Sequence, residues 1–382
     1  MEPGDTTADT GPGAEPSACV LDYSGSLQWS VATRSSERGL DVAVTNDGVL
    51  YVVDGCLSRW TESGERTWEL LQPSWGCIAV ALDLDGRPIV VGDAPSPEQG
   101  RISLVAALDH DATERWTVEV VPEPDAIRTA SDVVVDPSGD VVVVGYHVPL
   151  VPALDWWVWA SRYDIDGNEQ WTVELPPGTS TFPFIGQDDD GNTIIAEQRR
   201  NEFGVSFVRF TNLDAKGSTV WTRSSLDSVG HPIRMDSFAV DGSGRIALAG
   251  RATDLQDDPP LLTLLEPDGS PRWIRTGMDV TWLETISAVE FDDCGGLIVA
   301  GKGDLEDKGW GQLWAAKLTL EADLRWSWLL PAPLESIDTN IQAVHVLPDG
   351  GAIISGVWIA DEQPIEELEI PVPEAWLGRL AP

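Results

Sequence analysis

Strand, glycine turn, strand is the unit that recurs along this chain. The segments DVAVTNDGVLYVVDG, IAVALDLDGRPIVVGD, ASDVVVDPSGDVVVVGY, SFAVDGSGRIALAG, SAVEFDDCGGLIVAG and QAVHVLPDGGAIISG each set runs of Val, Ile, Leu and Ala on both sides of a Gly. FIGQDDDGNTIIAEQ is a seventh and more divergent copy. The runs are apolar without alternation, so these strands are expected to be covered on both faces. Gly48, Gly86, Gly139, Gly191, Gly244, Gly295 and Gly350 stand where a hairpin needs φ > 0, usually beside Asp or Ser.

A second pattern interleaves with the first. Trp29, Trp68, Trp116, Trp171, Trp221, Trp273 and Trp326 are separated by 39, 48, 55, 50, 52 and 53 residues. Four positions before each stands Gly or Ala, and seven before stands Asp, Glu or Thr, giving D-x-x-G-x-x-x-W. A third strand precedes this turn, as in WVWASRYDIDG and LWAAKLTLEAD, with Trp159, Trp314 and Trp376 at one register. Each repeat is therefore about 50 residues and four strands, A to D. That period is too long for a β-helix coil and fits radially arranged four-stranded blades. The sequence predicts an all-β, seven-bladed β-propeller over residues 20–382, preceded by a Gly/Pro/Thr-rich acidic tether at residues 1–19. The chain opens with a lone strand D and ends with a lone strand C (EAWLGRLAP), so the two ends are expected to complete one blade and close the ring.

The AVDxxGxxxVxG hairpins resemble the bacterial β-propeller repeat of exported proteins. The D-x-x-G-x-x-x-W turn is similar to the tryptophan-docking motif of quinoprotein-type propellers. The resemblance spans nearly all of the chain past the tether and implies fold more than function, because such repeats are scaffold. Quinone-dependent oxidation is not expected, since seven blades and no adjacent cysteines depart from the quinoprotein alcohol dehydrogenases. The sialidase-type Asp box S-x-D-x-G-x-T-W is echoed in SGERTW and DGNEQW without its required residues.

Charge narrows the partners. Asp and Glu number 63 against 24 Lys and Arg, a formal charge of −39, which disfavours nucleic acid and anionic lipid. No run approaches the roughly 20 apolar residues of a membrane span. No signal peptide follows Met1; the tether nonetheless resembles the spacer behind the lipidated Cys of bacterial surface lipoproteins. An exported location, whether periplasmic, anchored to the outer membrane or extracellular, is expected over the alternative of a cytoplasmic scaffold with a free tail. The chain is expected to be a monomer.

Candidate chemistry is sparse. The seven marker Trp recur on one strand of every blade, which assigns them to packing rather than to an aromatic ligand box. The four histidines, His110, His147, His231 and His345, belong to different blades. No cofactor is expected; calcium is the metal that the turns LDLDG, DIDG and DDDG would admit, although none carries the EF-hand ligand series. Glu290 and His345 replace small or apolar residues at one register of strand A in neighbouring blades. A buried charge needs a partner, so they are expected to pair near the central channel or else to meet channel water. Cys56 and Cys77 fall on adjacent blades at one face, where a disulfide is geometrically open; Cys19 and Cys294 belong toward the other face.

The strand path puts the short, alike A–B and C–D turns on one face and the variable D–A and B–C loops on the other. Binding is expected on the variable face. The sharpest candidates there are Asp254, Asp257 and Asp258 in one B–C loop, Asp304, Glu306 and Asp307 in the next, and Asp361, Glu362, Glu366 and Glu367 in the third. Trp282 and Trp310 join them. Carboxylates beside Trp suit a cationic ligand, a calcium-bridged ligand or a sugar ring stacked on indole. Function is read as non-enzymatic binding of a ligand, glycan or protein. The alternative is a glycan hydrolase or lyase with its site in the central funnel of that face, where Arg38, Arg128, Arg234, Asp236, Glu284 and Asn340 lead into the inner strands.

Overall fold

A computed structural model describes residues 27–33, 41–53, 57–70, 76–96, 100–120, 126–149, 156–177, 183–255, 257–277, 283–292, 295–303, 312–330, 336–347, 349–360 and 373–380. They form seven separate four-stranded antiparallel sheets. Six sheets take their strands in chain order from one continuous stretch. The seventh combines Ser336–Val346, Ala352–Ala360 and Pro373–Leu380 with the N-terminal strand Leu27–Thr33, which pairs with Pro373–Leu380. The chain is a seven-bladed β-propeller, and its two ends complete the last blade.

The first strands of the blades are Asp41–Val44, Gly76–Leu82, Ala126–Val135, Phe184–Gln187, Ile233–Val240, Leu283–Phe291 and Ser336–Val346. Each touches the first strands of the blades on either side, in a closed circle that lines the central channel. Apolar clusters fill the wedges between blades. One packs Ile89, Val91 and Val105 of blade two against Val133, Val143 and Trp159 of blade three. Because each sheet has a neighbour on both faces, its strands B and C are buried from both sides. This is why their sequences do not alternate.

Local chemistry sets the turns. In thirteen A–B and C–D turns the N–H of the first residue donates to the carbonyl four residues on, and the N–H of the fourth donates back to the first carbonyl. The fourth residue has φ between 66° and 89°, which explains the recurring Gly. In six of these turns an Asp in first position accepts two further N–H groups of its own turn. Asp83 takes those of Asp85 and Arg87, at 3.0 and 2.9 Å, and Asp164 takes those of Asp166 and Asn168, at 3.0 and 2.8 Å.

The marker Trp of strand D behave differently from core residues. Trp116, Trp171 and Trp273 are half-buried and reach across the blade boundary. Their Nε1–H groups donate to the carbonyls of Ile165, Ala215 and Leu320 in the next C–D turn, at 2.9, 3.1 and 2.6 Å. They pack between blades near the turn face rather than in the interior. The deeply buried indoles are those of strand C, Trp159 and Trp314.

Candidate functional site

The turn face repeats itself, and its charged residues serve the fold. Asp83 binds Arg87 and Arg115; Asp136 and Asp140 bind Arg162; Asp292 binds Lys317 at 2.7 Å. Burial acts to raise Asp83, but the Arg87 N–H and the two guanidinium groups bring it below the ordinary carboxylate range. The Asp-rich turns considered for calcium thus spend their leading carboxylates on their own backbone. Among the described residues, no three His, Cys, Asp or Glu side chains group as metal ligands.

The loop face is irregular. At blade three, Tyr146 and Trp156 stack with ring centroids 5.3 Å apart and an interplanar angle of 12°. His147 lies 4.6 Å from the Trp157 ring, and the Arg128 guanidinium sits over Trp159 at 4.8 Å. At blade four the B–C turn raises Phe203 to its tip, where it is 82% exposed. Tyr146, Trp156, Trp157 and Phe203 belong to no repeat pattern. Their signal in the sequence is that they stand just where strands B and C diverge into a loop.

The third site lies in the channel. Two residues before the register of Glu290 and His345, blades one, three and five carry Asp41, Asp132 and Ser237. Each caps a backbone N–H on the inner strand of the next blade: Val80 at 2.7 Å, Ile185 at 3.0 Å and Val289 at 3.1 Å. An inner strand has a free edge toward the channel, and its unpaired N–H groups need acceptors. Just before the capping position, in blades three and five, the pairing register shifts at a bulge, which redirects the side chains there. Asp41 and Asp132 also accept their own following N–H, from Val42 at 2.9 Å and Val133 at 2.8 Å.

Glu290 and His345 do meet. His345 Nδ1 is 3.2 Å from Glu290 Oε2, and its Nε2 is 3.9 Å from Asp41 Oδ1. Burial lowers the imidazole pKa, but the hydrogen bond and charge of Glu290, with Asp41 and Asp132, raise it above its ordinary value. Burial and the Asp41 charge push Asp132 up to about 7. Burial also raises Asp41, against the pull of His345. Reading one register alone misses Asp41 and Asp132; the signal was an acid at the head of an otherwise apolar run, as in DVAV and DVVV.

Of the loop-face candidates, Asp254, Asp257 and Asp258 lie in the blade-five B–C loop. Asp254 is held by His231 Nδ1 at 3.1 Å, and Asp257 and Asp258 take φ values of 68° and 45°. Asp304, Glu306, Asp307, Trp282, Trp310, Asp361, Glu362, Glu366 and Glu367 lie outside the described residues. So do Cys19, Cys56, Cys294 and Arg38; Cys77 is buried on the first strand of blade two. Asp236 is drawn to Arg234 and Arg251, at 3.4 and 4.0 Å. Arg128 is engaged with Trp159.

No family model matches the chain, and no curated protein is similar to it. Solved structures are. The propeller of Dos1 superposes with a TM-score of 0.51 at 10% identity, over 87% of this chain and 75% of that one. YCF48 bound to D1 peptide gives 0.51 at 11%, over 94% and 98%. A protein of unknown function from Dyadobacter fermentans DSM 18053 gives 0.51 at 11%, over 93% and 98%. The likeness is one of fold. A propeller presents a rigid ring of loops and suits a binding or scaffold role. Among the described residues no helix is long and apolar enough to cross a membrane.

Proposed function

We propose that this chain is a non-enzymatic binding propeller, exported or displayed at the cell surface, that takes a ligand or protein partner on its D–A/B–C loop face. The observation that carries the reading is the contrast between the two faces. One is built from a single turn repeated thirteen times. The other carries aromatic side chains that belong to no repeat, the exposed Phe203 and the half-buried Tyr146–Trp156 stack, on adjacent blades. Large rings held on rigid strand ends are what a recognition surface uses. The sequence assigns the acidic B–C loops of blades five to seven, with Trp282 and Trp310, to this same face, a composition that favours a cationic or sugar ligand. YCF48, a structure of similar fold, was solved bound to D1 peptide, which is in keeping with a binding role.

A glycan-processing enzyme would need a proton donor in the channel, and Asp132 stands where one would have to act. Its oxygens, however, accept backbone N–H groups of Val133 and Ile185, which is structural work. The binding reading is tested by screening the protein on a glycan array and a cationic peptide library, then measuring any binder against three variants. Phe203→Ser with Trp156→Ala, or Trp282→Ala with Trp310→Ala, should weaken it at least tenfold, as loss of an interface anchor worth about 2 kcal/mol does. Leu84→Ser with Ile165→Ser, on the turn face, should leave it unchanged. A binder sensitive to the turn-face pair alone would overturn the assignment.

A further inference from the structure

The ring has one seam. Blade seven exists only if the N-terminal strand finds Pro373–Leu380, so its contacts with blades six and one decide whether the circle holds. Two ionic systems work in this region. On the turn face Arg379 of blade seven binds Asp349 of its own blade at 2.6 Å and Glu62 of blade one at 2.7 Å. In the channel His345 of blade seven reaches back to Glu290 of blade six and forward to Asp41 of blade one. Arg379 keeps its charge at every physiological pH, whereas an imidazole does not.

We propose that His345 is a proton-operated latch on the ring seam: as imidazolium it ties blades six, seven and one together, and on losing its proton it lets the seam loosen. With the proton on, the charges run negative, positive, negative across three consecutive inner strands. With the proton off, Glu290 and Asp41 face each other across a neutral ring that donates to one of them at most. Asp132, on the inner strand of blade three, adds a third carboxyl to the same channel. The remaining strands packed on Ser336–Val346 meet it through apolar groups. Ile353 lies directly opposite His345 on the neighbouring strand, and Ile298, Ala300, Leu313 and Ala315 of blade six fill the wedge behind it. Of the two bases on the blade-six strands packed there, Lys302 and Lys317, the latter is committed to Asp292 at 2.7 Å.

The sign follows from linkage. His345 binds its proton more tightly folded than unfolded, so its contribution is complete below about 6.5 and is lost as pH rises through the folded value. Asp132, raised to about 7, acts in the same direction between the unfolded carboxylate range and about 7. The two are separable by mutation.

The test is hydrogen exchange read by mass spectrometry on the full chain at pH 5.5 and pH 8, corrected for intrinsic exchange, with the His345 titration followed by NMR. In the wild type, protection of Leu27–Thr33 and Pro373–Leu380 should fall several-fold at the higher pH, while any fall in blades three and four, where Asp132 caps Ile185, should disappear in Asp132→Asn. His345→Gln should abolish most of that difference, and Glu290→Gln should reduce it and lower the His345 pKa. Asp132→Asn should keep the seam-specific loss. A His345 pKa at or below about 6.5, or a seam that loosens equally in His345→Gln, overturns the latch. So does a seam loss that vanishes with Asp132→Asn alone.

Discussion

Two alanines stand where the fold asks for glycine. Ala112 and Ala322 occupy the fourth position of C–D turns with φ of 67° and 66°, the places filled by Gly64, Gly167, Gly217 and Gly269 in other blades. A left-handed conformation costs an L-residue about 1–2 kcal/mol, and glycine returns roughly half of that in lost chain entropy. Ala112→Gly and Ala322→Gly should each therefore raise stability by about 0.5–1 kcal/mol, read as a higher denaturant midpoint at unchanged slope. The reverse change at Gly167 has a second penalty. A Cβ there would lie 2.9 Å from Cδ2 of Trp116, so Gly167→Ala should both strain the turn and push the docked indole off the blade boundary. Equal midpoints for Gly167→Ala and wild type would show that the docking is loose.

At the scale of the blade, strands B and C meet at a glycine, set opposite a large ring in blades three and six and opposite a leucine in blades two and five. Gly145 pairs with Trp159, and Gly301 with Trp314. A Cβ on Gly145 would meet the Thr129 carbonyl at 2.1 Å and the Trp159 ring at 2.6 Å. The bare backbone lets the indole lie flat over the strand. Trp159→Ala should cost about 3–5 kcal/mol in chemical denaturation, and a loss below 1 kcal/mol would mean that the wedge between blades two and three is not filled by that ring. Blade four breaks this rule. Glu197 takes the glycine position and Arg209 the opposite one, with Arg199 alongside; the buried carboxylate is held by both guanidinium groups. The elements were legible because turn geometry and two-sided burial leave direct marks: Gly with Asp, unbroken apolar runs, a Trp at one register. The site was much less so. Glu290 and His345 could be picked out as exceptions within a column. Their link to Asp41 depends on which residues of three different blades point into one channel, and on a free strand edge that needs acceptors. Neither the stacking of Tyr146 on Trp156 nor the exposure of Phe203 is written in a repeat, because each belongs to a loop that occurs once.

For the whole molecule the deciding quantity is closure. Six blades can form from local sequence, but the ring gains its last interface only when residues near position 30 reach residues near position 377. That contact costs the largest loop entropy in the chain, and it covers two strand edges that would otherwise lie open. The bonds that repay it are the register from Leu27–Leu380 to Thr33–Ala375, the Arg379 bridges and the His345 chain. Removing residues 1–33 takes away the strand and leaves the outer edge of Pro373–Leu380 bare. The expected result is loss of a single cooperative transition, with aggregation or with dimers that pair the bare edges. Removing residues 1–17, whose Gly, Pro, Thr and acidic composition offers nothing to pack, should leave the melting temperature within about 1 °C, a change worth under about 1 kcal/mol at this size. Calorimetry of the two truncations beside the full chain distinguishes these outcomes. A 34–382 fragment that stays monomeric and melts as one transition at the temperature of the full chain would mean that the ring does not depend on its N-terminal strand, and the seam would have to be placed elsewhere.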